Sequence, residues 1–261
     1  MTQIECTFLS QALYTYATVT VLIPSMGFDK MISGQQFTYD PEEKFKTLYL
    51  LHGITGDHKD WLRFTSIERY AEAKNLAVVM PSVGNSFYAN MEHGSKYWTF
   101  VSEELPRVVR NLFPLSKKRE ENFVAGLSMG GYGAFKLALN KPECFSAAAS
   151  LSGALNITDE INFNTPQTIF NLSDIFGSPE KVKQSSDNLF YMLKCLKASE
   201  TKIPMLYQAC GTEDFLYSDN IKFRDDARNL GVDLTYEEGP GEHTWDFWDH
   251  YIRKVIDWLP L

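Results

Sequence analysis

From Tyr16 to Ile23 the chain reads YATVTVLI, an alternating run rich in β-branched residues that predicts an early strand. A second strand is expected over Phe45 to Leu51, running into the His52-Gly53 turn. Ser66 to Asn75 has a helical pattern with Ser66 in the N-cap position. Leu76 to Met80 is a short, continuously apolar run stopped by Pro81, the pattern of a strand buried on both faces. Trp98 to Phe113 is again helical, interrupted or kinked at Pro106. Asn122 to Leu127 then predicts a strand, Gly130 to Asn140 a helix ending before Pro142, and Phe145 to Leu151 another strand. Further on, Ile203 to Cys210 reads as a strand. Asp219 to Leu230 follows as a helix with Phe223, Ala227 and Leu230 on one face and Gly231 as its stop. Asp233 to Glu237 is the last expected strand, and a closing helix shows Trp248, Tyr251, Ile252, Val255, Ile256 and Leu259 on one side.

Strands alternating with helices imply an α/β domain whose mostly parallel sheet is covered on both faces. With no repeat, low-complexity tract or linker, residues 1–261 read as a single domain. Residues 153–202 break the rhythm, because two neighbouring strands need a far shorter crossover. They read as a small cap inserted at the carboxyl edge of the sheet, where ligands of such folds bind. Its phenylalanines Phe163, Phe170, Phe176 and Phe190 either pack down over a site or form the cap's own core; the pattern fits both.

Composition narrows the function classes. A formal net charge of −8 without Lys/Arg clusters speaks against nucleic acid or an anionic membrane as partner. The first residues lack a basic, apolar leader, and no apolar run approaches a membrane span. Cys6, Cys144, Cys195 and Cys210 lie far apart with no CxxC pair, so free thiols in a cytoplasmic protein are expected, with no metal or cofactor.

The chemistry concentrates at Gly126-Leu127-Ser128-Met129-Gly130, a G-x-S-x-G preceded by one predicted strand and followed by one predicted helix. That context defines a nucleophile elbow, in which a strained turn projects the serine hydroxyl from the sheet edge. Side chains at 126 and 130 would collide where strand and helix nearly touch. The helix start also directs free N–H groups and a positive dipole end at the reaction centre. Ser128 is therefore the candidate nucleophile.

In this type of fold the order along the chain is serine, acid, histidine. That order leaves His243, in the turn-rich loop Gly239 to Thr244, and His250, inside the closing helix; a loop position suits a base, whereas His250 reads as a solvated helix residue. Asp214, just after the Ile203–Cys210 strand, is the candidate acid, with the adjacent Glu213 as its competitor. Asp219, Asp225 and Asp226 read as helix-start or solvated charges. An oxyanion hole needs two backbone donors, for which the N–H groups of Met129 and of Ile54, in Leu51-His52-Gly53-Ile54-Thr55-Gly56, are placed.

Four stretches, LYLLHGITGDHKDW, VAGLSMGGYGAFKLAL, CGTEDF and GEHTWDFW, span most of the chain in order. In them the chain resembles the esterase D/S-formylglutathione hydrolase group of α/β-hydrolases, and looks closest to its bacterial tributyrin esterases. The resemblance implies a cytoplasmic enzyme without cofactor, often a homo-oligomer, acting on short acyl esters, with relatives active on feruloyl and acetyl-sugar esters. Trp61, closing the first stretch, is a candidate substrate contact. Leu127 and Tyr132 stand where S-formylglutathione hydrolases usually carry His, which argues against a glutathione thioester. The expected activity is that of a serine carboxylesterase working through an acyl-enzyme, an acyltransferase sharing the same chemistry. A non-catalytic binding module on this fold would lack a triad member, and none is missing here.

Overall fold

The computed structural model describes residues 1–27, 31–36, 40, 42–158, 169–199 and 201–261. Its strands are β1 (Thr2–Ser10), β2 (Thr15–Ile23), β3 (Thr47–Leu51), β4 (Ala77–Pro81), β5 (Asn122–Leu127), β6 (Ala147–Leu151), β7 (Met205–Gly211) and β8 (Leu234–Gly239). They form one sheet in the order β1-β2-β4-β3-β5-β6-β7-β8. The pairs β1–β2 and β2–β4 are antiparallel, and every pair from β4 to β8 is parallel. The α-helices of five or more residues are α1 (Asp60–Phe64), α2 (Ile67–Ala73), α3 (Leu105–Leu112), α4 (Met129–Asn140), α5 (Leu172–Phe176), α6 (Pro179–Lys183), α7 (Leu189–Ala198), α8 (Tyr217–Asn229) and α9 (Trp245–Trp258).

Because side chains alternate across a strand, the central strands feed two separate cores. Tyr49, Leu51, Val79 and Val124 pack with Phe135, Leu139 and Phe223 of α4 and α8 on one face. Leu48, Leu50, Val78 and Phe123 pack with Ile67, Ala71, Ile252 and Val255 of α2 and α9 on the other. Strands β3, β4, β5 and β6 are buried throughout, as their predominantly apolar sequences require.

Three local features depart from expectation. The edge strand β1 was not foreseen: its sequence TQIECTFLS carries polar residues on its exposed face and has no apolar run to mark it. Ser66 does precede α2, yet its side chain makes no capping bond; its N–H donates to Asp249 Oδ1 at 2.9 Å. Ahead of Pro106 the helix passes through a π-helical turn, Phe100–Glu104, rather than breaking. Proline lacks an N–H and crowds the carbonyl four residues back, and the wider turn accommodates both.

Between β6 and β7, the described part of the predicted cap contains α5, α6 and α7. Its phenylalanines divide. Phe170 faces the main cavity, Phe176 packs on Phe87 and Tyr132, and Phe190 packs on Phe223 in the core. Phe163 lies outside the described residues. The segment is tied to α4 by Lys136, whose buried Nζ contacts Asp187 Oδ1 at 2.5 Å and donates to Tyr88 O at 3.0 Å.

Candidate active site

Ser128 occupies the bend between β5 and α4 with φ 53° and ψ −120°, a conformation that a residue with a Cβ adopts only under constraint. The constraint is visible. Its N–H donates to Leu151 O at 2.9 Å, and its carbonyl accepts from Ala154 N–H at 3.1 Å. A Cβ on Gly126 would strike the backbone of Gly130, and one on Gly130 would strike the carbonyl oxygens of Leu51 and His52. Glycine at both positions lets β5, α4 and the end of β3 meet. The meeting brings the loop after β3 beside the serine.

A cavity of about 1040 Å³ opens over this junction at the carboxyl ends of the parallel strands. Ser128, His243, Gly53, Ile54 and Leu127 line its floor. Asp214 lies behind His243 with its carboxylate fully buried, and the Oδ2···Nδ1 separation is 2.8 Å. The other oxygen, Oδ1, accepts from Leu216 N–H at 2.8 Å. Burial pushes the Asp214 carboxyl up; the hydrogen bonds from His243 and Leu216 outweigh it and hold the group below its usual range. It is a carboxylate at neutral pH. The imidazole of His243 is flanked by Phe215, with ring centres 4.6 Å apart, and meets Trp248 edge-on at 4.9 Å.

The other sequence candidates fall as follows. Glu213 is exposed and bonds the loop backbone, accepting from Gly241 N–H at 2.6 Å. His250 is exposed on α9. Met129 begins α4, where the first N–H groups of a helix have no partner within the helix; its side chain turns into the core. The Ile54 N–H finds no acceptor among the described residues.

Trp61 does not face the cavity, contrary to expectation. It is 1% exposed, its indole N–H donates to Leu51 O at 3.1 Å, and its ring lies edge-on to Trp245. The short helix α1 turns this side chain inward, and the aromatic wall is made instead by Phe64, Trp245 and Trp248. Asp219 stands in the first turn of α8, as expected, and it also lines the cavity, accepting from Asn156 Nδ2 at 3.1 Å. The only hint in the sequence was its place at the start of the helix after the Asp214 turn. Asn156 and Phe87 carried no signal, because their approach depends on how distant loops fold over the sheet.

The strand order, the sharp serine turn and the shared cavity are those of an α/β-hydrolase. The sequence profile of the esterase family matches residues 34–257, and the chain belongs to that family. Its class of reaction is carboxylic ester hydrolysis. Among similar proteins is the acetyl esterase of Caldicellulosiruptor saccharolyticus, 35% identical over 99% of this chain and 98% of its own length. The substrate-bound fluorophosphonate-binding serine hydrolase F of Staphylococcus aureus superposes with a TM-score of 0.88, at 36% identity over 99% of this chain and 98% of that one. An S-formylglutathione hydrolase from the same organism gives 0.85, with the same identity and coverage.

Proposed function

We propose that this single-domain chain hydrolyses short-chain acyl esters through an acyl-enzyme, with Ser128 as nucleophile, His243 as base and Asp214 as its orienting acid. The observation that carries this is the 2.8 Å Asp214–His243 contact behind a cavity wall that also holds Ser128. With Nδ1–H donated to Asp214, Nε2 of His243 is left to take the Ser128 proton as the hydroxyl attacks the carbonyl carbon. The negative charge then developing on the carbonyl oxygen is met by the N–H groups of Ile54 and Met129. His243 returns its proton to the departing alkoxide, and a water, deprotonated by the same nitrogen, releases the acid. Phe170 facing the cavity favours small acyl groups, and the acetyl esterase relative agrees with this reading. The same reading puts the enzyme in the cytoplasm, with its described cysteines free, and leaves room for self-association.

A thioester of glutathione is the second reading, favoured by the S-formylglutathione hydrolase neighbour. Against it, the cavity presents Asp60 and Asp219, while Arg63 is already engaged by Asp57 and Asp60 at 3.1 and 2.9 Å. A substrate bearing carboxylates meets little uncompensated positive charge there. The test pairs covalent labelling with a substrate panel. An organophosphate should inactivate the enzyme with one equivalent bound, on Ser128. Values of kcat/KM should peak from acetyl to butyryl esters, fall by octanoyl, and exceed those for S-acylglutathiones. A label on another residue, or an optimum at octanoyl or longer, contradicts the corresponding part of the proposal.

A further inference from the structure

Resting on the reading of Ile54 N–H as an oxyanion donor, we propose that His52 is the positioning residue that aims it. The loop after β3 is held by a run of buried side-chain donors on three consecutive carbonyls. Trp61 Nε1–H donates to Leu51 O at 3.1 Å, Tyr88 O–H to His52 O at 2.8 Å, and His52 Nδ1–H to Gly53 O at 2.7 Å. The last of these matters most, because Gly53 C=O and Ile54 N–H belong to one planar trans peptide and point in opposite directions. Fixing the carbonyl fixes the donor.

The tautomer of His52 follows from its partners alone. A carbonyl can only accept, so the proton sits on Nδ1. Val83 N–H can only donate, and it donates to Nε2 at 3.0 Å, so Nε2 is bare. The ring is 1% exposed and leaves no room for another arrangement. On the far side of Ile54, Thr55 N–H donates to Asn85 Oδ1 at 2.8 Å. Both peptide planes flanking the Ile54 Cα are thereby pinned. A carbonyl that accepts a hydrogen bond also polarises the N–H of its own peptide, which strengthens it as a donor to a developing oxyanion. Such fixed dipoles stabilise a transition state because they need no reorganisation when charge appears.

The competing account is that His52 merely fastens the end of β3 to the Val83 backbone. Two substitutions separate them, because asparagine reproduces the Nδ1 donor and glutamine the Nε2 acceptor. His52→Asn keeps a donor for Gly53 O and gives up Val83; His52→Gln does the reverse. With a butyryl ester, His52→Gln should lose kcat on the order of 10²-fold with KM little changed, while His52→Asn stays within about fivefold of wild type. Affinity for phenylboronic acid, whose serine adduct presents an oxygen to the same donors, should fall in step with kcat. The reverse order, equal losses, or wild-type kcat in both overturns the proposal. If neither variant folds, ¹⁵N NMR of histidine-labelled wild type decides, since a His52 protonated on Nε2 overturns it equally. Failure to label Ser128 would instead refute the catalytic reading, whichever way the His52 variants behave.

Discussion

The loop after β3 and the loop after β8 both supply the cavity floor, yet they are built in opposite ways. Residues 51–53 are buried, and each carbonyl is tied by a buried donor. Residues 240–244 are partly or fully exposed, and among the described residues the His243 side chain has a single polar tether, Asp214. The first loop offers backbone dipoles, which work only if they are already in place when charge develops. The second carries a side chain that must accept a proton, change its charge and return the proton to another oxygen within one turnover. Rigidity serves the first role, and a single well-placed carboxylate suffices for the second.

The sharpest way to break this comparison is at that one tether. Asp214→Asn should reduce kcat by about 10⁴-fold, because an amide supports neither the imidazolium nor the required tautomer. Glu213→Gln, one residue away, should stay within about threefold, since among the described residues Glu213 bonds only the loop backbone and Thr212. Steady-state kinetics of both variants at neutral pH decide the matter, and a severe loss in Glu213→Gln with a mild one in Asp214→Asn would reverse the assignment.

These residues also show what could be read from sequence. The elbow was legible because its constraints are local: a buried strand, a glycine on each side of the serine, and a helix. Sequence and structure agree on β5 to the residue, and on α4 to within one. His243 followed from chain order and Asp214 from its place after a strand. Trp61 was misread because a helical residue's facing depends on what packs beside it, and the sequence pattern marked no helix over α1. Strand β1 was missed because an edge strand needs no apolar run. His52 looked like a plain turn residue, since its partner Val83 lies in a different loop.

A smaller effect sharpens the contrast from the rigid side. Burial holds His52 below the ordinary histidine value of about 6.5, the Gly53 carbonyl and the charges of Asp60 and Asp57 opposing it. A residue kept neutral by the fold takes up its proton on unfolding. Below about pH 6.5 the unfolded chain therefore binds more protons, and stability falls by up to about 1.4 kcal/mol per pH unit for each such group. His58, part-buried and lowered mainly by desolvation, contributes with the same sign. Urea unfolding between about pH 7 and about pH 5 should show a shallower decline in His52→Asn than in wild type. An unchanged slope would mean that His52 titrates alike in both states.

The bend at Ser128 carries a consequence for how such a sequence drifts. Its φ of 53° and ψ of −120° suit glycine, and a Cβ there is a standing cost. Ser128→Ala and Ser128→Gly both discard the nucleophile, but only the second relieves the backbone. Thermal or urea unfolding should find Ser128→Gly more stable than Ser128→Ala by about 1 kcal/mol. Selection for folding alone would thus erase the hydroxyl on which turnover rests. An L-residue persists at 128 only while its chemistry is needed, and in a lineage released from that need, glycine at this bend is the substitution that folding itself would favour.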